Sequence, residues 1–355
     1  MAPMFVPGPV DVAAEVLAAQ AKPMLPHRSK DFEAIFRRTE EKAQKLFFTQ
    51  YRVFQGTSSG SGMQEAGIRN FVQDTVLTCV NGAFSQRWYE VAVTNGKQTD
   101  SLEVDWGEPI TPELLAKALK QKRYEAVTIV HNETSTGVEN PLKDLAAVVH
   151  EVSPDTIIMV DAVSSLGGVK IEMDAWGIDF LLTSSQKALA LPPGLSLAAA
   201  SDRAMKKAES VTNRGWYFDL VRMEKHRIKD STPMTPAMAL IFALDLQLDR
   251  IFEEGLEARF ARHTAMAERV QSWAEDAGMP PLANKPYRSK TVSSLVNTHG
   301  FAVGDLNKFL QARGMRLANG YGKLKEKNFR IAHMGEIRMN DVETLLAAIV
   351  EFIAQ

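Results

Sequence analysis

Hydrophobic residues along this chain fall into two kinds of run. Ala126–Val130, Thr156–Val160, Phe180–Thr183 and Leu195–Ala200 are short and apolar nearly throughout, the pattern of strands buried on both faces. Between and around them the apolar positions recur at helical spacing. Gly62–Cys79 reads as one helix that begins after a glycine-serine loop. Thr111–Gln121 starts at Thr111-Pro112-Glu113, with proline in the first turn where its missing N–H costs nothing. Lys143–Val152 reads as another helix. Strands separated by helices imply an α/β fold with a parallel sheet covered on both faces.

The pattern changes after Pro233. Long helical stretches cover Pro236–Phe252 and Leu256–Ala277. A strand at Lys290–Val296, a helix at Val303–Arg313, a strand at Asn328–Ala332 and a final helix at Asn340–Phe352 follow. This tail reads as a smaller α+β domain.

Composition narrows the function. The chain has 355 residues, 45% of them hydrophobic, enough for a large core and two domains. Lys plus Arg number 41 and Asp plus Glu 43, a net charge of −2, so nothing points to nucleic acid or to a membrane surface. No stretch approaches the roughly 18–20 apolar residues of a membrane span, and the first residues lack the features of a signal peptide. The one cysteine, Cys79, falls within the helix-like stretch and rules out an intrachain disulfide. A reducing, cytoplasmic setting is expected.

Candidate chemistry gathers where the apolar runs end. Asp179–Leu189 runs from a strand into small hydroxyl residues and then Gln186-Lys187. A lysine at a strand tip can lose solvation, shed its proton and attack an aldehyde; the alternative is an exposed lysine past a strand. Gly56-Thr57-Ser58-Ser59-Gly60-Ser61-Gly62 can cradle a phosphate on backbone N–H groups, or serve as a flexible turn. It lacks the lysine of a P-loop and the spaced glycines of a dinucleotide fingerprint. Asp161, at the end of Thr156–Val160, can pair with a protonated ring nitrogen, bind a metal or cap a helix. His131 and Glu133 alternate, and so share a face of an extended backbone, but no third metal ligand stands at suitable spacing. Hydrogen bonding to a substrate or ring oxygen suits them better. Phe84 can stack on a planar ligand or sit in the core. Arg330 can fork onto a carboxylate or form a salt bridge on a sheet surface.

In order and spacing these segments, with Phe5-Val6-Pro7-Gly8-Pro9-Val10, Pro23–Ser29, His131–Gly137, Pro192-Pro193-Gly194 and Arg330–Gly335, resemble the class V aminotransferases, within them the serine–pyruvate and alanine–glyoxylate group. The likeness covers nearly the whole chain. It implies the fold-type I architecture, a mostly parallel seven-stranded sheet with a smaller C-terminal α+β domain, and a homodimer with its active site at the interface. The implied division is an N-terminal segment 1–20 that reaches the active site and small domain, a cofactor domain 21–250 and a small domain 251–355. It implies pyridoxal 5′-phosphate, bonded to Lys187, with Asp161 on the pyridine nitrogen. Ser59, Gly60, Ser61 and Gln186 would hold the phosphate, Phe84 would stack on the ring and Ser135 would lie near its hydroxyl edge. Arg330 would bind the substrate α-carboxylate and the backbone around Gly8 would close the pocket. No metal is implied. The expected reaction is ping-pong transamination of serine or alanine with pyruvate or glyoxylate.

Two departures stand out. Many relatives carry tryptophan where Phe84 falls. The tyrosine and threonine that reach the neighbouring subunit's phosphate correspond to Ile228 and to Ser231 or Thr232. Among rivals, a cysteine desulfurase needs a cysteine in the C-terminal half, which is absent. A phosphoserine or aminophosphonate transaminase needs extra basic residues in the pocket. A catalytically silent cofactor-binding subunit needs neither Lys187, Asp161 nor Arg330, and a phosphate-sugar or nucleotide binder leaves Lys187 and Arg330 unexplained.

Overall fold

A computed structural model describes residues 3–355. Its principal sheet has seven strands, in the order Arg52–Gly56, Ser196–Ala200, Phe180–Ser184, Ile157–Asp161, Ala126–Val130, Thr75–Val80 and Gln98–Glu103. Ser196–Ala200 is antiparallel to both neighbours, and every other pair is parallel. Six strands therefore point one way. The carboxyl ends at Gly56, Val80, Val130, Asp161 and Ser184 open on a single edge, where open α/β sheets bind their ligands.

The apolar runs become central strands because both faces are covered. Leu77, Val127, Ile129, Ile158, Val160 and Leu181 feed one core cluster, and Val76, Ala126, Val130, Ile157, Met159, Phe180 and Leu182 feed the other. Alternation along each strand sends successive side chains to opposite layers. Phe180 meets Phe71 edge to face, with ring centroids 5.1 Å apart, and locks the helix Gly60–Phe71 onto the sheet.

The expected helix over Gly62–Cys79 is corrected. A helix spans Gly60–Phe71, the backbone turns extended at Val72, and Thr75–Val80 is a strand. Thr-Val-Leu-Thr-Cys-Val is rich in β-branched residues, and the polar Gln73-Asp74 pair breaks the helical run before it. Cys79 thus lies in the sheet core, its thiol pushed up to about 12 by burial. The strand Gln98–Glu103 gives no apolar signal because it is a half-exposed edge. The remaining expected elements match observed ones within two residues at each end.

A second sheet has the order Met4–Phe5, Arg316–Asn319, Asn328–Ala332, Val292–Val296. The helices Leu256–Asp276, Val303–Gln311 and Met339–Ile353 contribute to its core with Phe5, Leu295, Phe329 and Ile331. Residues near the N-terminus therefore belong to the same layer as the C-terminal strands. Residues 1 and 2 of the expected N-terminal segment lie outside the described residues. Among the described residues, no helix is long and apolar enough to cross a membrane.

Phe180→Ala should lower unfolding stability by about 3–5 kcal/mol, because a fully buried ring between two elements leaves a cavity. Urea denaturation measures it; a loss below 1 kcal/mol, on the order of a single buried methylene, would show that the helix does not depend on this contact.

Candidate active site

Asp161 ends its strand at the open edge, and Lys187 follows the neighbouring strand. Both line one cavity of about 180 Å³, with Ser59, Gly60, Ser61, Phe84 and Gln186. Burial of the amine lowers the Lys187 pKa to about 8, helped by the Arg330 charge and opposed by Asp161. Burial raises Asp161 to about 6. Each group is thus held near the point where its charge can change. Asp161 accepts from Val163 N at 2.8 Å and from Gln64 Nε2 at 2.7 Å, which fixes its plane. Gln64 was not legible as a site residue; its position on the face of the helix that carries Gly60 is the signal that could have found it.

Ser59 is the N-cap residue of the helix Gly60–Phe71, but its side chain caps nothing. The first N–H groups of a helix have no intrahelical acceptor, and the helix dipole favours an anion there. A Cβ at Gly60 would stand 2.5 Å from Val163 Cγ2, so glycine is what lets this helix end approach the Asp161 loop. Ser184 Oγ, Gln186 Oε1, Gln64 Oε1 and Asn132 Oδ1 are buried on the cavity wall without a partner. Buried polar atoms rarely stay unpaired, so a polar ligand suits this wall.

Phe84 lies in the first turn of the helix Ala83–Thr94 and faces the cavity. Glu133 holds that turn: its carboxylate accepts from Phe84 N at 3.1 Å, from Ser85 N at 2.9 Å and from Ser135 Oγ at 2.6 Å. Glu133 therefore serves a helix N-terminus, not a substrate oxygen. His131 is likewise turned away: its Nδ1 pairs with Ser165 Oγ at 2.9 Å, and burial lowers its pKa to about 4. Ser135 stands behind the wall, accepting from Ala83 N at 3.0 Å, while Asn132 and Thr134 supply the lining. No group of three or more candidate metal ligands occurs among the described residues.

The N-terminal segment crosses over the lysine. Lys187 Nζ donates to Pro7 O, and Val10 N donates to Gln186 O at 3.2 Å. Gly8 has φ +118°, and a Cβ there would lie within 2.9 Å of Lys187 Nζ. Arg330 is buried on the strand Asn328–Ala332 of the second sheet. Its Nε donates to Asn319 O at 3.0 Å and its Nη1 to Thr134 O at 3.3 Å.

A profile of the family described as aminotransferase class-V matches residues 12–338. The chain is a class V aminotransferase. It is 32% identical over 343 residues to the L-aspartate–glyoxylate aminotransferase of Paracoccus denitrificans, covering 94% of this chain and 87% of that one. It is 32% identical over 347 residues to the serine–glyoxylate aminotransferase of Methylorubrum extorquens, covering 94% and 86%. The solved alanine–glyoxylate aminotransferase of Nostoc sp. matches with a TM-score of 0.93 at 30% identity, covering 100% and 95%. The fold is the fold-type I architecture, as the motifs implied.

The loop after Lys187 in this aminotransferase is tied down by side chains that sequence reasoning did not single out. Ala188 O accepts from Arg259 Nη2 at 2.8 Å, and Leu189 O from Gln247 Nε2 at 3.0 Å. Arg259 Nε also reaches Gly167 O at 2.8 Å, and its charge is met by Glu254 at 2.7 Å. Ala190 holds a left-handed φ of +53°, a strain these bonds sustain. Long-range contacts between helix side chains and loop carbonyls leave no local motif.

Arg259→Met should destabilise the protein by about 3–5 kcal/mol, the usual loss when one partner of a buried ion pair is removed. Arg269→Met, which breaks an exposed pair with Glu343, should barely move the urea midpoint. Equal midpoint shifts for the two variants would contradict a clamp at Arg259.

Proposed function

We propose that this chain is a pyridoxal-phosphate-dependent transaminase. It moves an amino group from a small α-amino acid, serine or alanine, to pyruvate or glyoxylate in a ping-pong cycle. The observation that carries the reading is one cavity that joins a buried, pKa-lowered Lys187 amine, the Asp161 carboxylate and a free helix N-terminus. The cofactor's aldehyde, ring nitrogen and phosphate call for those three features in turn, and the unpartnered Ser184 and Gln186 atoms leave polar capacity for it.

When bound, pyridoxal phosphate supplies an electron sink for the negative charge that develops at the substrate Cα. The chain's residues do the rest. Gly60 and Ser61 N–H groups, with the Ser59 and Ser61 hydroxyls, hold the phosphate dianion. Asp161 keeps a proton on the ring nitrogen, and the pairing restores the full charge that burial opposes. Phe84 and Val163 both line the cavity and would hold the ring. Lys187 Nζ would hold the aldehyde end of the cofactor, and its amine is the base placed to take the proton from the substrate Cα. Arg330 has donors to spare after Asn319 and Thr134 and fixes the α-carboxylate, which orients the breaking bond. Pro7 and Gly8 close the site over Lys187. Ser135 acts at one remove, by positioning Ala83 and Glu133 under Phe84.

The working unit in this reading is a homodimer. Met24, Trp216 and Ile228 are 60%, 59% and 63% exposed, large apolar groups that a second copy would cover. Thr232 Oγ1 is spent on Met234 O at 2.7 Å, so Ser231 is the hydroxyl left to reach a partner's phosphate. Residues 21–250 act as the cofactor domain and 251–355, joined by the N-terminal segment 1–20, as the small domain. The lone buried cysteine suits a cytoplasmic setting.

Lys187→Ala should abolish transamination and the visible band of the purified protein; retained turnover would sink the assignment. For the native protein, the neutral amine is the reactive form, and it predominates above a pKa of about 8. The rate at which apoprotein develops the band on adding pyridoxal phosphate should therefore rise with pH through about 8 and then level. Asp161→Asn should still bind cofactor but turn over at least about tenfold more slowly, a loss equal to about 1.4 kcal/mol of barrier. Unchanged turnover would mean another group protonates the ring.

A further inference from the structure

The relatives act on different amino donors, so kinship alone does not choose one for this chain. The cavity offers a discriminator. Arg87 sits one turn beyond Phe84 on the helix Ala83–Thr94 and lines the cavity with Lys187. Its guanidinium carbon stands 4.9 Å from the Phe84 ring centroid. One nitrogen, Nη2, donates to the Tyr321 hydroxyl at 3.4 Å. Among the described residues, no carboxylate forms an ion pair with it; Arg222, stacked on Trp216, also lacks one, but only Arg87 of these two lines the cavity.

Tyr321 stands between two cations. Its hydroxyl meets Arg87, and its ring lies 5.5 Å from the Arg330 guanidinium carbon. Phe84 closes the set, with its ring centroid 5.3 Å from that of Tyr321. A guanidinium stacked on an aromatic face is steadied there and keeps its in-plane N–H fork for an anion. The nearby Glu133 forms no ion pair with Arg87; its carboxylate accepts from the N–H groups of Phe84, Ser85 and Ser135. With an α-carboxylate on Arg330, the free donors of Arg87 at the cavity still have no carboxylate partner among the described residues.

We propose that Arg87, steadied by Phe84 and Tyr321, receives the side-chain carboxylate of a dicarboxylic substrate, so that L-aspartate serves as an amino donor in addition to the small amino acids. This rests on the reading of Arg330 as the α-carboxylate site. One fork and one phenol match a carboxylate; a phosphoryl dianion calls for more donors than the two groups provide.

The test uses the holoenzyme. Single-turnover discharge of the visible band is followed with L-aspartate, L-alanine and O-phosphoserine, and binding of the unreactive dicarboxylate succinate is measured by calorimetry. Wild type should be discharged by aspartate. Arg87→Met should lower the aspartate-to-alanine ratio of discharge efficiency tenfold or more and weaken succinate by a similar factor, with Arg87→Lys recovering part of both. The ratio discounts any loss common to both amino acids. An unmoved ratio with unmoved succinate affinity overturns the proposal. So does discharge of wild type by alanine but not aspartate, and O-phosphoserine outperforming aspartate overturns the carboxylate assignment. If no amino acid discharges the band, the transaminase reading fails, and the succinate comparison alone decides the role of Arg87.

Discussion

The structure turns on the burial of two opposite charges at one edge of a parallel sheet. Lys187 and Asp161 leave adjacent strands and enter the same small cavity. Burial works against both, lowering one pKa to about 8 and raising the other to about 6. Neither group would be tuned in this way on an exposed surface. The parallel topology makes the placement possible, because six strands deliver their carboxyl ends to one side. The apolar runs that looked merely like core are thus what carry the polar tips into a shared space.

Such a site depends on loops held more firmly than their own sequence can manage. Arg259 and Gln247 reach from two helices to the carbonyls just past Lys187. Gln247 also touches Glu336, and Arg262 donates to Gly335 O at 3.2 Å. The same pair of helices therefore grips the lysine loop and the segment that follows Arg330. Pro7 and Val10 add a third hold from the N-terminus. The two sheets share no strand and are joined at the site by these side-chain and main-chain bonds.

This division explains what was legible beforehand. Buried strands with uniform apolar character declared themselves, and so did residues at strand tips such as Asp161, where the pattern switches abruptly to polar. Gly62–Cys79 misled because its helix and strand are both apolar and only Gln73-Asp74 separates them. His131 and Glu133 looked like a ligand-facing pair because period two was all the sequence offered. In the fold, the free N–H groups of the Ala83–Thr94 helix claim Glu133, and Ser165 claims His131. Gln64 and Arg259 had no signal because their partners lie far along the chain.

Charge accounting extends the same logic to recognition. Arg259 and Arg262 share the acid Glu254, and each satisfies backbone carbonyls as well. They are structural because every donor direction that matters is used inside the protein. Arg330 is only partly used, by two carbonyls, and Arg87 by one distant phenol. A buried or half-buried cation whose donors are left over is costly unless something arrives to use them. In an enzyme that must release what it binds, that unmet capacity is better supplied by substrate than by a permanent acid. The position of the leftover donors, rather than the number of arginines, is what the proposed choice of substrate rests on.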